Sequence, residues 1–178
     1  MTYHTVTELS AVAAQNVSAY NADFVSASSL DNGNICQLLT KSSTTGQGEV
    51  WVATAPTTAS ATGVFMVDSP VLPFLVTGAG DIINGLGTAR DFYTLTTKIG
   101  AARRLQLGDI VTLSAETLDS STTQAYAIPV AGSFTMAWSA VTVNGFYLTY
   151  LKTTYISVPD GTIGTGRVVA YEFRVDHI

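Results

Sequence analysis

The segment LDNGNICQLLT, residues 30–40, joins an Asn-Gly pair to a run of β-forming residues. Asn-Gly and Asp-Gly are the strongest short-range hairpin signals, because both central residues of a type I′ turn need a positive φ. The run that follows, residues 34–40, favours a strand. The same kind of dipeptide recurs at Asn84-Gly85, Asn144-Gly145 and Asp160-Gly161. This pattern predicts a chain of strands joined by tight turns.

Short β-rich runs are spread along the whole chain. They cover residues 34–40, 49–55, 63–68, 71–77, 109–114, 125–130, 133–138, 145–151, 154–158 and 166–175. Roughly ten short antiparallel strands joined by hairpins are typical of an all-β sandwich or barrel. This is the fold class that the sequence predicts.

The N-terminal residues have a different pattern. Residues 7–20, TELSAVAAQNVSAY, fit either one short helix or an extended arm, since Ser, Asn and Thr weaken the helical pattern. We therefore expect an arm or short helix over 1–22 and a single β domain over 23–178. A weak echo between LDNGNICQL (30–38) and LQLGDIVTL (105–113) leaves open two similar halves divided near 78–90, but a shared turn-into-strand pattern is the favoured explanation.

The composition is poor in charge and rich in hydroxyl groups. Charged residues make up 12% of the 178, against about 25% in ordinary domains, and the chain carries 26 Thr and 15 Ser. Such a surface is typical of sheet proteins that meet other protein over large areas. The net charge of −5 disfavours nucleic acid as a partner. No run of 18 apolar residues and no signal peptide are visible, so we expect a protein that folds in a cytosol and has no membrane partner.

Residue types that would carry chemistry are sparse. His4 and His177 are the only histidines and lie at opposite ends, and Cys36, the single cysteine, reads as a small buried strand residue. The carboxylates Asp109 and Glu116 are interpreted as turn and loop residues and not as a catalytic pair. The glycine-rich segment 77–90 fits no phosphate-binding motif. We therefore expect no enzymatic activity, no cofactor and no metal.

Basic residues gather in one part of the chain. Four of the eight, Arg90, Lys98, Arg103 and Arg104, fall between positions 90 and 104. The cluster fits either a solvated strand face, with Leu105 and Leu107 turned inward, or a surface that pairs with acidic groups of a neighbouring subunit.

Two stretches, LDNGNICQLLTK…GEVWVATAPTT…GVFMVDSP (30–70) and YTLTTKIGAARRLQLGDIVTLSAETLD (93–119), together resemble small structural proteins of tailed bacteriophages. These are the capsid decoration, or cement, proteins and minor head proteins encoded near the major capsid protein. The resemblance implies a viral structural protein, made in the host bacterial cytoplasm and located on the capsid surface of the virion. It also implies the major capsid protein and neighbouring copies of the chain as partners, in a homo-oligomer, and no catalytic residues.

Docking to the capsid or to a neighbouring subunit would use the N-terminal arm and the basic cluster. The residues predicted for this contact are Thr2, Tyr3, Val6, Leu9, Arg90, Arg103 and Arg104. One alternative is a phage fibre or receptor-binding module that recognises host glycan through Tyr147, Tyr150 and Tyr155. A second alternative is a tail-tube or head–tail joining protein.

Overall fold

A computed structural model describes residues 4–12, 18–44, 46, 48–70, 74–76, 82–84, 92–119, 122–159 and 165–178. Two 3₁₀ turns, Ser18–Tyr20 and Ala115–Thr117, are the helical segments in these ranges. The strands are β1 (Thr7–Ala11), β2 (Asn21–Val25), β3 (Ile35–Lys41), β4 (Trp51–Thr54), β5 (Val64–Val67), β6 (Phe74–Val76), β7 (Ile82–Asn84), β8 (Gly100–Arg104), β9 (Ile110–Ser114), β10 (Tyr126–Pro129), β11 (Met136–Ser139), β12 (Tyr147–Pro159) and β13 (Thr165–His177).

The strands form a closed barrel, a six-stranded sheet and a separate β6–β7 hairpin. The barrel runs β2-β4-β3-β5-β8 and closes through pairing of β2 with β8, whereas the sheet runs β1-β9-β13-β12-β10-β11. The all-β prediction is confirmed. Most pairs are antiparallel as expected, and β2 with β4 is a parallel pair.

The two predicted runs 145–151 and 154–158 are joined in one long strand, β12, which begins at Tyr147 and not at residue 145. It pairs with β13 along its whole length, and the register shifts between Tyr150 and Lys152. The bulge leaves Leu151 without a partner in the register and reverses which side chains of β12 face the core. As a result Leu148 faces the main core, whereas Ile156 and Val158 lie in a smaller cluster with Val6, Val168 and Ala170.

The N-terminal segment forms a strand, and the helix allowed by the sequence does not form over residues 7–11. β1 pairs antiparallel with β9, with Thr7 opposite Leu113 and Glu8 opposite Thr112. Thr and Val favour extended backbone, and β9 offers a free edge, so strand pairing prevails over a weak helical pattern. Val6 and Leu9 are buried in the chain's own core by this pairing.

The barrel and the sheet share one hydrophobic core. Ile35 and Met66 of the barrel pack with Trp138, Leu148 and Phe173 of the sheet. The barrel interior has its own cluster around Phe24, Cys36 and Val67. The chain crosses from barrel to sheet at residues 105–109, between β8 and β9. No helix in the described ranges is long and apolar enough to cross a membrane.

The two segments that echo each other in sequence form the same turn. The Asn34 N–H donates to the Asp31 carbonyl (3.1 Å), and Asn34 Oδ1 accepts from the Asp31 N–H (2.9 Å). In the second segment the Asp109 N–H donates to the Gln106 carbonyl (3.0 Å), and Asp109 Oδ2 accepts from the Gln106 N–H (2.7 Å). The glycine before each has φ of 91° and 87°. One turn starts a barrel strand and the other a sheet strand, so the shared feature is the turn.

Candidate interaction surface

The two stretches that carry the phage resemblance meet at a buried polar cluster. Asn32 Nδ2 donates to the Ser69 carbonyl (2.9 Å), and the Ser69 N–H donates to Asn32 Oδ1 (2.8 Å). The Ser69 hydroxyl lies 2.9 Å from Thr94 Oγ1 and accepts from the Ala101 N–H (3.0 Å). Leu30 and Thr94 also exchange two backbone hydrogen bonds (2.9 and 2.7 Å). The LDNG and SP motifs are therefore structural contacts that join the barrel strands.

The N-terminal arm is held by the same cluster. His4 Nδ1 lies 2.7 Å from Asp31 Oδ1, and the imidazole stacks on Tyr93 with ring centroids 4.4 Å apart. The Thr5 hydroxyl donates to the Asn32 carbonyl. The Val6 N–H donates to Ser114 Oγ (3.0 Å), so the arm connects the barrel to the sheet.

These contacts change the interpretation of the predicted docking residues in the arm. Val6 and Leu9 are buried in the chain's own core, in contrast to their predicted role at a neighbouring molecule. Thr2, Tyr3 and Arg90 lie outside the described residues. His4, near the start of the chain, is anchored by its carboxylate partner Asp31.

Two adjacent arginines of β8 have different environments. Arg103 donates through Nε to Asp68 and reaches Asn21 Oδ1 at 3.4 Å. About a quarter of the Arg103 and Asp68 side chains is exposed. Arg104 is exposed at the end of the strand and makes no ion pair with any residue in the described ranges. Of the basic cluster, Arg104 is thus an exposed cation without an ion pair to the described residues.

A shallow cavity lies beside Arg103. Its volume is about 440 Å³, and Asn21, Asp23 and Arg103 supply its polar lining. Because Arg103 is already paired with Asp68, the cavity presents no uncompensated positive charge to an anion.

The turn before β8 presents apolar side chains to solvent. Leu95 is 47% exposed and Ile99 is 56% exposed, with Lys98 also exposed between them. Thr97 has φ of 63°, which is costly for a β-branched residue. Its N–H donates to the Ser26 carbonyl (2.9 Å), and the Lys98 N–H donates to the Leu95 carbonyl (3.1 Å). These backbone bonds hold the turn in its strained conformation.

The two leucines that follow the arginines, Leu105 and Leu107, differ in burial. Leu105 is buried as predicted, whereas Leu107 is 62% exposed, so its predicted inward position is wrong. Leu107 lies within the 105–109 turn and not on a strand, so the alternation of inward and outward side chains does not extend to it.

The three tyrosines of the glycan alternative do not form one shelf. Tyr150 packs edge-on against Trp138, with ring centroids 5.5 Å apart. Tyr147 contacts Tyr126 and stacks parallel to His177. Tyr155 alone is mostly exposed, at 58%, opposite the exposed Val169 of β13.

The other ionisable groups considered in the sequence, Asp109, Glu116 and Cys36, lie in turns or in the buried core. Asp109 stabilises the turn before β9, and Glu116 lies in the 3₁₀ turn after it. Cys36 is buried as predicted, and burial raises the pKa of its thiol to about 12. Within the described ranges no three His, Cys, Asp or Glu side chains come together in an arrangement that could hold a metal ion.

Comparisons of the chain with protein-family models, with curated proteins and with solved structures find no match.

The turn at Thr97 could not be found from the sequence, because LTTKI contains none of the glycine or asparagine that usually marks a positive φ.

Proposed function

We propose that this chain is a viral structural protein that binds the outside of a tailed-bacteriophage capsid and stabilises the lattice. The proposal rests on the resemblance of residues 30–70 and 93–119 to phage head proteins. It is supported by a low-charge, hydroxyl-rich all-β chain. The observation that carries it furthest is the turn Leu95–Ile99, which lies within the second of these stretches.

The turn has the properties of a contact site. A left-handed Thr costs about 1–2 kcal/mol and persists only where surrounding contacts impose it. Here it holds Leu95 and Ile99 outward, although removing their apolar surface from water would be favourable. A partner that covers these two side chains would recover part of that cost. We therefore assign the turn to the capsid contact.

Arg104 is the charged member of the proposed contact. It is exposed and keeps its guanidinium free of ion pairs within the described part of the chain. Arginine pairs with carboxylates through two parallel hydrogen bonds, so an acidic capsid patch suits it. Arg103, Val6 and Leu9 are left out of the proposal because the chain's own fold engages them.

Stabilisation would follow from mass action. A protein that binds only the mature shell stabilises it by RT ln(1 + [L]/Kd), about 2.7 kcal/mol per site at a hundredfold excess over Kd. Many sites on one shell multiply this effect against the pressure of packaged DNA.

The proposal is tested by co-sedimentation with capsids of the phage that encodes the protein. The double variant Leu95→Ser/Ile99→Ser and the variant Arg104→Glu are each expected to lower occupancy about tenfold or more, the loss of about 1.4 kcal/mol of binding. Leu107→Ser removes a leucine that is more exposed than Leu95 and lies outside the Leu95–Ile99 turn, so it is the control. Circular dichroism and thermal unfolding check that each variant is folded. Wild-type protein that fails to co-sediment, or equal occupancy for all variants, would count against the capsid role.

One observation favours the fibre or receptor-binding alternative. Tyr155 and Val169 are directly opposite each other on β12 and β13, and both are exposed. A tyrosine face beside an apolar neighbour can stack on a sugar ring. Binding to a glycan array that is lost in Tyr155→Ala would support this alternative. A closed ring in solution would instead indicate a tail-tube or head–tail joining protein.

A further inference from the structure

The asparagine of an Asn-Gly pair can deamidate spontaneously. The glycine nitrogen attacks the carbonyl carbon of the asparagine side chain, ammonia leaves, and a cyclic imide forms between the two residues. Water then opens the imide to aspartate or to isoaspartate, in which the main chain runs through the former side chain. Glycine permits the attack because it has no side chain and a wide choice of backbone conformations. The reaction needs a free asparagine side chain and a free glycine N–H.

The pair Asn32-Gly33 meets neither requirement. Asn32 is 6% exposed, and both ends of its amide are bound to Ser69. The Gly33 N–H donates to the Val67 carbonyl at 2.9 Å. Reaction at Asn32 therefore requires the polar cluster to open first.

The pair Asn144-Gly145 is in the opposite situation. Asn144 is exposed in the connection between β11 and β12. Neither its side-chain amide nor the Gly145 N–H has a hydrogen-bond partner among the residues that the structure describes. The Asn144 side chain is therefore exposed to solvent, and the Gly145 N–H, although the glycine is buried, is not held by a hydrogen bond within the described residues.

We propose that Asn144 is a site of spontaneous deamidation in the native protein, whereas Asn32 is protected by the fold. Solvent water is the co-reactant. One C–N bond of the side-chain amide breaks, ammonia carries away the nitrogen, and one carboxylate is gained, so the chain becomes more negative by one charge. The inference does not depend on the proposed function.

The position of Gly145 gives the reaction a structural consequence. A Cβ atom on Gly145 would overlap the backbone of Ser60, so the two segments are in close contact. The next residue, Phe146, is 1% exposed, and its N–H donates to the Ala61 carbonyl at 2.8 Å. Isoaspartate lengthens the main chain at this point by one carbon and would displace these contacts. Aspartate keeps the backbone length and would leave them in place.

The test uses the full-length folded protein, incubated in heavy-oxygen water at mildly alkaline pH and then digested with trypsin. The three Asn-Gly pairs fall in separate tryptic peptides, residues 1–41, 42–90 and 105–152, so mass spectrometry scores each one independently. We expect oxygen-labelled conversion in 105–152 at least about tenfold faster than at Asn32 in 1–41, which corresponds to about 1.4 kcal/mol of local opening.

The same incubation in denaturant is the control, and there the Asn32 and Asn144 rates are expected to converge. Equal rates at the two sites in the folded protein, or a 105–152 peptide that stays unconverted, would overturn the proposal. For the structural consequence, the isoaspartate form is separated and its thermal midpoint is compared with that of Asn144→Asp. A lowered midpoint in the isoaspartate form alone supports the displacement of Gly145, and equal midpoints would refute it.

Discussion

Asn32 and Ser69 hold each other through two hydrogen bonds, in which the Asn32 amide donates to the Ser69 carbonyl and accepts from the Ser69 N–H. Both residues are buried, and the side chain of Asn32 replaces a strand neighbour for the backbone of Ser69. A buried peptide group must be paired to avoid a large desolvation cost. The pair therefore acts as a structural link between the turn before β3 and the segment after β5.

The first prediction concerns this link. Asn32→Ala should lower the free energy of unfolding by about 2–3 kcal/mol, because it leaves a buried N–H and a buried carbonyl of Ser69 without partners. Urea denaturation measures the change. Ser157→Ala, at an exposed position of β12, should stay within about 0.5 kcal/mol of the wild type. A loss at Asn32 no larger than at Ser157 would contradict the structural role.

The second prediction separates backbone strain from a steric clash at two glycines. Gly108→Ala, at φ 87° with open space around it, should cost about 1 kcal/mol of stability. Gly33→Ala, at φ 91°, should cost about 1–3 kcal/mol more, because its Cβ would lie 2.5 Å from Thr7 Cγ2.

Thr7→Ser removes that methyl group and should recover part of the Gly33→Ala loss in a double-mutant cycle. Chemical denaturation of the four proteins measures the coupling. Additive effects would mean that the arm does not pack on the turn.

The third prediction distinguishes the neighbouring arginines. Arg103→Gln should lower the free energy of unfolding by about 1 kcal/mol, since Asp68 loses a partly buried partner. Arg104→Gln should change stability by less than about 0.5 kcal/mol, because its side chain is exposed. Urea denaturation of both variants is the measurement, and the reverse order would refute the assignment of Arg104 to the free surface.

The fourth prediction concerns Cys36 and pH. Burial raises the pKa of its thiol from 9.0 to about 12. Above pH 9 the thiol ionises in the unfolded chain and stays neutral in the folded protein, so its contribution to stability is complete below pH 9 and falls as the pH rises towards 12.

The stability of the wild type relative to Cys36→Ala should therefore fall by about 1.4 kcal/mol per pH unit above the unfolded pKa. Denaturant titrations at several alkaline pH values measure the free energy of unfolding of both proteins. Subtracting the value for Cys36→Ala from that of the wild type removes the contribution of other titrating groups. In parallel, a thiol reagent should modify Cys36 only on unfolding. Rapid modification of the native protein would contradict its burial.

The local sequence determined much of the strand content, but Asn32-Gly33 and Asn144-Gly145 do not form the predicted hairpins, because β2 is not paired with β3 and β11 is not paired with β12. The runs of β-forming residues correspond to β3–β6 and β9–β13, whereas β7 and β8 lie outside the predicted runs. β9 begins directly after the predicted Gly-Asp turn. These features depend on side-chain size, β-branching and the conformational freedom of glycine, all of which act within a few residues. Such local preferences can be recognised in a single sequence.

Only the tertiary structure decided which of the predicted contact residues are exposed and which the chain's own fold engages. Arg103 and Arg104 are adjacent and alike in sequence, yet Asp68 engages only the first. Val6 and Leu9 face the core because β9, far along the chain, pairs with their segment. Two of the three tyrosines became packing residues once β12 was aligned with β13. Strand register and ion pairing join residues that are distant in the chain, so no local pattern contains them.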